Sequence, residues 1–212
     1  MAWTQEEIAD AVAADIEDGW ILNLGVGMPT EVGARLFDRA VLVHSENGIL
    51  GVGAPPAPGE EDPDIIDPGK NPVTIVPGAA FMDSLTSFSL IRGGHLDLAV
   101  MGAFQVSASG DLANWRLPNR RGGAIGGAAD LAAGSRRVWV MTTHTTKDGA
   151  PKLVRECTYP LTARGVVTRV YTELGTFDVA EGVFRVVRLA PGVTPDDVRR
   201  CTDADVEIAV PR

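Results

Sequence analysis

The 212-residue sequence contains little of what several common protein classes require. It has two cysteines, Cys157 and Cys201, whose spacing fits neither a disulfide framework nor a zinc site, and we expect both to be unreactive thiols. The three histidines, His44, His95 and His144, are too widely spaced to indicate a metal site. No apolar run approaches the roughly 18 residues that a membrane-spanning helix needs. We therefore expect neither a bound metal nor a membrane span.

Positive charge is also scarce. Lys and Arg number 19 against 28 Asp and Glu, which gives a formal net charge of −9. Binding to nucleic acid or to an anionic membrane needs a basic face, so we expect neither, although a local basic site for a phosphorylated ligand remains open. Residues 1–10 (MAWTQEEIAD) are acidic within the first seven positions, unlike a secretory signal peptide. The sequence therefore predicts a cytoplasmic protein.

Hydrophobic residues make up 45% of the chain, enough for a packed core, and 24 Gly with 14 Pro predict many tight turns. Thr4 and Glu7 form a T-x-x-E capping box, and Gly19 suits the end of that first helix. The predicted helices are 5–18, one near residue 30, 80–91, 128–134 and one from 194. The predicted strands are 20–24, 41–45, 73–76, 97–101, 137–142, 165–172 and 182–190. This alternation indicates an α/β fold with one open, mostly parallel sheet and flanking helices, in a single domain spanning 1–212.

Several familiar nucleotide and catalytic motifs are absent. Residues 25–30 (GVGMPT) begin like a dinucleotide fingerprint, but Pro29 intrudes and Thr30 replaces the third glycine. Residues 69–71 (GKN) lack the Ser or Thr of a P-loop. There is no H-E-x-x-H zinc motif and no G-x-S-x-G nucleophile elbow. These absences disfavour NAD, P-loop, zinc-protease and serine-hydrolase chemistry.

A carboxylate follows the predicted strand 41–45, in the sequence Ser45-Glu46-Asn47-Gly48. A solvated turn glutamate is the simpler interpretation. A cleft is favoured by the apolar strand before it, because ligand sites in such sheets lie at the carboxyl ends of strands. The loop 122–127 (GGAIGG) precedes a helix and offers amides to an oxyanion. We also expect open amides at the glycines around this strand end, which are Gly25, Gly27, Gly48, Gly51 and Gly53.

Seven stretches, in their joint order and spacing, resemble the B subunit of the family I 3-oxoacid coenzyme A-transferases over about residues 5–207. They are 23–30 (NLGVGMPT), 45–48 (SENG), 69–70 (GK), 91–95 (IRGGH), 110–115 (GDLANW), 126–131 (GGAADL) and 144–147 (HTTK). The resemblance implies the CoA-transferase fold, which is similar to that of ribose-5-phosphate isomerase. It also implies a coenzyme A thioester as substrate and no permanently bound cofactor.

The resemblance also implies roles for individual residues. Glu46 matches the catalytic glutamate, which forms an acyl–glutamyl anhydride and then a glutamyl–CoA thioester during a ping-pong transfer. The backbone N–H of Gly127 matches an oxyanion donor, and Lys70 matches a lysine near bound coenzyme A. The remaining substrate-binding or CoA-binding positions that we infer are Asn23, Gly25, Gly27, Asn47 and Gly126.

The family further implies a second chain. Its active enzyme needs an A subunit, so we expect this chain to work in an A/B heterodimer or heterotetramer. The stretches 44–48, 56–62, 102–106 and 156–160 look most like the branch that transfers coenzyme A from succinyl-CoA to 3-oxoadipate. A dicarboxylate acceptor needs an additional cation, for which the candidates are Arg92, Arg116 and Arg120. Acetoacetate as acceptor, acyl-CoA hydrolysis and a non-catalytic ligand-binding role remain alternatives.

Overall fold

The computed structural model of the protein describes residues 2–118 and 122–208. The helices are α1 (Gln5–Asp15), a 3₁₀ helix (Met28–Arg35), α2 (Ser84–Arg92), α3 (Ala128–Gly134) and α4 (Pro195–Cys201). The strands are β1 (Ile21–Leu24), β2 (Leu42–Ser45), β3 (Ile49–Val52), β4 (Ile75–Phe81), β5 (Leu98–Met101), β6 (Gln105–Ser107), β7 (Leu112–Ala113), β8 (Val138–Met141), β9 (Leu153–Val154), β10 (Val167–Thr172), β11 (Gly175–Ala180), β12 (Val183–Leu189) and β13 (Val206–Ile208). None of the helices in the described ranges is long and apolar enough to cross a membrane.

Ten strands of the described chain form one open sheet in the order β13-β12-β11-β10-β8-β5-β1-β2-β3-β4. The central strands, from β10 to β2, are parallel, and antiparallel pairs extend the sheet on both sides. The predicted open, mostly parallel sheet with flanking helices is confirmed. Strands β7, β6 and β9 form a smaller sheet that the sequence pattern did not predict. Because β1 and β2 are parallel neighbours, their carboxyl ends lie side by side.

Helix α1 begins where its capping residues predict. The Thr4 side chain accepts a hydrogen bond from the Glu7 N–H, and the Glu7 carboxylate accepts one from the Thr4 N–H, which completes a capping box. The helix ends at Asp15, and Ile16 is already extended. The predicted end at residue 18 is therefore wrong, and Gly19 serves the following turn with a φ of 88°.

The two faces of the large sheet are covered by separate apolar clusters. One cluster joins α1 and the 3₁₀ helix to the sheet, and its members include Ile8, Val12, Leu22, Val32, Leu36 and Val100. The other joins α2 and α3 to the opposite face, and its members include Ile91, Ala99, Leu131, Val140 and Phe177. Successive residues of a strand point to opposite faces. Since Leu22 belongs to the first cluster, Asn23 projects toward the α2 and α3 side.

Strands β3 and β4 form an antiparallel pair at one edge of the sheet, where Leu50 pairs with Ala80. The predicted strand 73–76 is the start of this longer β4, and the predicted helix start at residue 80 is wrong. Helix α2 begins later because Asp83 is its N-cap, with a carboxylate that accepts from the Thr86 N–H. Pro77 lies within β4, which an edge strand tolerates because one side of it needs no partner.

The C-terminal third contains three strands that were not predicted, which are β9, β11 and β13. Strands β10 and β12 match the two predicted β runs, and β11 lies between them, antiparallel to both. Helix α4 begins at Pro195 with Thr194 as N-cap, as predicted, and Asp197 completes a second capping box.

Candidate active site

Glu46 is the first residue after β2 and is half-buried. A tight turn holds it there, because the Gly48 N–H donates to the Ser45 carbonyl at 3.0 Å and the Met82 N–H donates to the Gly48 carbonyl at 2.9 Å. Gly48 has a φ of 120°, and a Cβ at this position would collide with the Met82 carbonyl oxygen. The turn therefore needs a glycine, and it leaves the glutamate at the carboxyl end of a central strand.

Asn23 holds one oxygen of the glutamate. Its side chain is buried on β1, directly beside His44 in the β1–β2 register. The Asn23 Nδ2 donates to Glu46 Oε2 at 3.1 Å and to the His44 carbonyl at 3.0 Å. No arginine, lysine or histidine of the described chain forms an ion pair with Glu46. The carboxylate is thus oriented by a neutral donor, which leaves its charge available to an electrophile.

Two further buried polar residues lie behind the glutamate. The Ser87 hydroxyl on α2 donates to the Glu46 backbone carbonyl at 2.9 Å, and the His44 Nε2 lies 2.9 Å from that hydroxyl. Burial lowers the pKa of His44 to about 4, so its ring is neutral at pH 7. The sequence analysis missed both residues as site components. Residue alternation was the available signal for His44, because it places His44 on the same sheet face as its neighbour Asn23.

Gly127 lies against the glutamate although the two residues are distant in sequence. A Cβ added to Gly127 would be 3.6 Å from Glu46 Cγ and 3.3 Å from Phe88 Cζ. Gly127 is the N-cap of α3, and its N–H has no hydrogen-bond acceptor among the described residues. Gly126 is exposed with a φ of 50°. The structure thus brings the predicted nucleophile and the predicted oxyanion donor together.

The expectation of open glycine amides around the strand end is wrong for three positions. The N–H groups of Gly25, Gly48 and Gly53 donate to the carbonyls of Val100, Ser45 and Thr74. A Cβ at Gly25 would be 3.1 Å from the Val100 carbonyl oxygen, so this glycine allows close packing of β1 and β5. Its predicted contact with substrate therefore has no free amide to support it.

Gly27 and Asn47 shape the two turns beside the site. Gly27, with a φ of 98°, is the N-cap of the 3₁₀ helix, and its carbonyl accepts from the Thr30 N–H and hydroxyl. The Asn47 side chain accepts from the Ser45 hydroxyl and donates to the Ile66 carbonyl at 2.7 Å. Asn47 thereby ties the glutamate turn to the long loop 53–72. Asn47 is predicted from the sequence to bind substrate or coenzyme A, and in the structure both ends of its side-chain amide make these contacts within the chain.

Lys70 is exposed in the same long loop and adopts a left-handed backbone conformation, with a φ of 65°. Its N–H donates to the Asp67 carbonyl at 3.0 Å, which closes a turn. Within the part of the chain that the structure describes, the Lys70 ammonium forms no ion pair. The left-handed conformation of this turn costs a lysine backbone free energy.

A cavity of about 320 Å³ lies between the 3₁₀ helix and the long loop. Its walls are mostly apolar and include Leu24, Phe37, Val43, Val52, Pro55 and Val73. His44 and Ser45 border this cavity, but Glu46 is not among the residues that line it. This cavity is therefore not the site that contains the glutamate.

The profile of the family described as Coenzyme A transferase matches residues 5–200. The chain belongs to the coenzyme A transferase family. This transferase is 51% identical over 199 residues to the B subunit of 3-oxoadipate CoA-transferase from Pseudomonas putida, covering 93% of each chain. It is 42% identical over 204 residues to the B subunit of succinyl-CoA:3-ketoacid coenzyme A transferase from Helicobacter pylori, covering 96% of this chain and 99% of the relative.

Solved structures show that the fold is shared more widely. The acyl-CoA transferase YdiF from Escherichia coli O157:H7 matches with a TM-score of 0.76 and 21% identity, over 98% of this chain. The chain spans only 42% of the length of that protein. Glutaconate coenzyme A-transferase from Acidaminococcus fermentans matches with a TM-score of 0.67 and 18% identity, over 99% of this chain and 90% of that one. At these identities the likeness establishes the fold alone.

The arginines that are candidates for binding the second carboxylate of a dicarboxylate acceptor have different surroundings in the transferase. The Arg92 Nε donates to Asp130 Oδ1 at 2.7 Å, so its charge is already paired. Arg116 is exposed and lies over the Trp115 ring, 6.0 Å from its centroid. Arg120 lies outside the described residues. Of the two described candidates, Arg116 is the one without an ion-pair partner in the described chain.

The two cysteines and His144 lie apart from this chemistry. Burial raises the pKa of the Cys157 thiol to about 11, which keeps it protonated, and Cys201 lies on α4. His144 is buried between the hydroxyls of Thr172 and Thr202, at 2.9 and 2.8 Å. The described residues contain no group of three or more His, Cys, Asp or Glu side chains that could hold a metal ion.

Proposed function

We propose that this chain is the B subunit of a CoA-transferase that moves coenzyme A from succinyl-CoA to a 3-oxo acid through a glutamyl–CoA thioester on Glu46. The observation that carries the proposal is the half-buried Glu46 carboxylate, held by Asn23 at 3.1 Å and facing Gly127. A nucleophilic carboxylate needs no general base, because it is already ionised at neutral pH.

The proposed transfer begins and ends with one thioester bond, which is broken and re-formed through mixed anhydrides. A Glu46 oxygen attacks the thioester carbonyl of the donor, which forms a mixed anhydride and expels the CoA thiolate. The thiolate then attacks the glutamyl carbonyl, which releases succinate and leaves coenzyme A on Glu46. The acceptor carboxylate attacks this new thioester, and the expelled thiolate attacks the acceptor's acyl carbon, which restores the Glu46 carboxylate. Coenzyme A enters as part of a substrate, so no resident cofactor is required.

Each attack creates an oxyanion that needs a hydrogen-bond donor. We assign this role to the Gly127 N–H, since it has no acceptor among the described residues and its Cα lies beside the Glu46 side chain. Removing such a donor typically slows a reaction by roughly 100- to 1000-fold. We further propose that Lys70 contributes a point charge to a coenzyme A phosphate, and that Asn47 holds the turn in place.

The identity of the acceptor rests on the relatives. The 51% identity to the 3-oxoadipate CoA-transferase chain of Pseudomonas putida supports 3-oxoadipate, and a second relative with this name, from Acinetobacter baylyi, is 46% identical over 208 residues. The 42% identity to a succinyl-CoA:3-ketoacid transferase keeps acetoacetate as the alternative. A dicarboxylate such as 3-oxoadipate carries a second negative charge, and Arg116 is the described arginine that we assign to it. The cytoplasmic location expected from the sequence stays a prediction.

An A subunit completes the proposed enzyme, in a heterodimer or heterotetramer. Apolar side chains are exposed around the glutamate: Leu85 is 74% exposed and Phe81 is 60% exposed. Phe81 pairs with Ile49 next to the glutamate turn, and Leu85 lies one helical turn before Phe88, which contacts Gly127. We propose that the A subunit covers Phe81 and Leu85, since large exposed apolar side chains beside a site are typical of an interface.

Transfer kinetics test the proposed function. The complex with its A subunit should transfer coenzyme A from succinyl-CoA to 3-oxoadipate with parallel double-reciprocal plots, as ping-pong transfer requires. Glu46→Gln should lose at least about 1000-fold in rate, whereas Glu60→Gln, in the exposed loop, should retain it. Net hydrolysis without transfer would contradict the proposal, and so would full transfer activity of Glu46→Gln.

A further inference from the structure

Three polar side chains are buried behind Glu46, and each comes from a different element. Asn23 lies on β1, His44 on β2 and Ser87 on α2, and none of the three is more than 1% exposed. Buried polar groups cost free energy unless they are hydrogen-bonded, so three of them in one place need a reason beyond packing. Asn23 and Ser87 contact Glu46 directly, on its side chain and on its backbone, and the His44 ring lies against both of them.

Counting protons fixes the direction of these hydrogen bonds. The Ser87 hydroxyl has one hydrogen and donates it to the Glu46 carbonyl, which can only accept. The His44 Nε2, 2.9 Å from the same hydroxyl, must therefore carry the hydrogen of that second bond. A neutral imidazole has one N–H, so the Nδ1 of His44 is bare.

The bare nitrogen lies beside the Asn23 amide, whose two hydrogens go to Glu46 and to the His44 carbonyl. The His44 Nδ1 lies 3.5 Å from Asn23 Nδ2, the atom that also donates to Glu46 Oε2. A protonated Nδ1 would put two donors against each other at this point and would turn the Asn23 amide away from the carboxylate. A neutral ring with its hydrogen on Nε2 therefore fits both the contact with Ser87 and the contact with Asn23. The low pKa of His44, caused by burial, agrees with this neutral form.

We infer that His44 and Ser87 are positioning residues that fix Glu46 at both ends, through its backbone carbonyl and through the Asn23 amide. This inference rests on the proposed function, because it concerns how the glutamate is aimed at a thioester. Displacing a nucleophile by about 1 Å costs roughly 100-fold in rate. Neither residue touches substrate in this account, so both act only through Glu46.

Two variants of His44 separate positioning from packing. His44→Leu fills the same space with an apolar side chain that offers neither donor nor acceptor. His44→Gln retains an N–H for the Ser87 hydroxyl and presents an acceptor oxygen, in place of Nδ1, to the Asn23 amide. His144→Leu is the matched control, because His144 is also a buried histidine held by two hydroxyls, away from Glu46. Ser87→Ala removes only the hydroxyl and keeps the inference testable if His44→Leu does not fold.

The measurement is the single-turnover rate at which the A/B complex forms the Glu46–CoA thioester from succinyl-CoA, expressed per folded complex. We expect His44→Leu and Ser87→Ala to be at least about 30-fold slower, His44→Gln to be within about threefold of the wild type, and His144→Leu to lose stability but not rate. Wild-type rates in His44→Leu and Ser87→Ala, or an equal loss in His144→Leu, would overturn the inference. A wild-type complex that forms no thioester would instead refute the proposed function.

Discussion

The amide nitrogen of Asn23 lies 3.1 Å from a carboxylate oxygen of Glu46, and this contact joins the carboxyl ends of two neighbouring parallel strands. The same nitrogen donates to the His44 carbonyl, so both of its hydrogens are used. The orientation of the candidate nucleophile is therefore built into the sheet. It does not depend on a flexible side chain reaching from a loop.

Asn23→Leu removes this donor while nearly preserving volume. We expect the free energy of unfolding to fall by about 1–3 kcal/mol, because the His44 carbonyl loses a buried donor. We also expect kcat to fall roughly 10- to 100-fold, because Glu46 loses its orientation. Gln105→Leu is the control: this buried amide bonds Thr158 and Tyr159 in the smaller sheet, so stability should fall without a change in kcat. Equal effects on kcat in both variants would contradict the account.

Gly127→Ala introduces a methyl group beside the nucleophile. Gly127 has a φ of −78°, which alanine adopts without strain, but the new Cβ would be 3.3 Å from Phe88 and 3.6 Å from Glu46 Cγ. We expect a small change in melting temperature and a roughly 10- to 100-fold slower transfer. Gly33→Ala, whose Cβ meets only ordinary contacts with Leu24 and Phe37, should leave the transfer rate unchanged. An unaffected rate in Gly127→Ala would remove this residue from the site.

Two substitutions of Lys70 separate the effect of its charge from the effect of its left-handed backbone. Lys70→Ala and Lys70→Gly both remove the ammonium group, but only glycine relieves the left-handed backbone, so the glycine variant should be the more stable of the two. If the ammonium contacts a coenzyme A phosphate, both variants should raise KM for the acyl-CoA roughly tenfold with kcat little changed. Lys147→Ala, at another exposed lysine, serves as the control. An unchanged KM in both Lys70 variants would show that Lys70 does not bind the substrate.

The two buried histidines make stability dependent on pH. Burial lowers the pKa of His44 and of His144 from 6.5 to about 4, so the unfolded chain binds more protons than the folded one between these values. Each histidine therefore contributes stability above pH 6.5 that is lost as the pH falls toward 4, amounting to about 2 kcal/mol between pH 7 and pH 5. Urea unfolding of the wild type and of His144→Gln at both pH values should show a smaller loss in the variant. An equal loss in both proteins would show that His144 is not the source.

Local signals predicted the parts of the fold that depend on neighbouring residues. The capping residues Thr4 and Thr194 place the starts of α1 and α4 correctly, because a cap is decided within one helical turn. Strands β3 and β11 were missed, since both depend on antiparallel partners rather than on a strong apolar run of their own. Asp83 was not predicted as an N-cap, and the predicted start of α2 at residue 80 is therefore too early.

The candidate site divides in the same way. Glu46 could be selected from sequence because an apolar strand precedes it, and the family resemblance supplied Gly127. Their contact could not be predicted from spacing, since it depends on how α2 and α3 pack against the sheet. His44 and Ser87 were missed because each looks like an ordinary core or helix residue until its partners are known. Glycines near the strand end did not predict free amides, because the N–H groups of Gly25, Gly48 and Gly53 donate to backbone carbonyls in the folded chain.

A covalent adduct on one side chain tests the central claim most directly. The A/B complex is incubated with succinyl-CoA in the absence of an acceptor, then quenched, digested and examined by mass spectrometry. The account predicts a peptide containing Glu46 that is heavier by the mass of coenzyme A less one water, and predicts its absence in Glu46→Gln. An active complex whose adduct lies on another residue, or which carries none while substrate turns over, would contradict it.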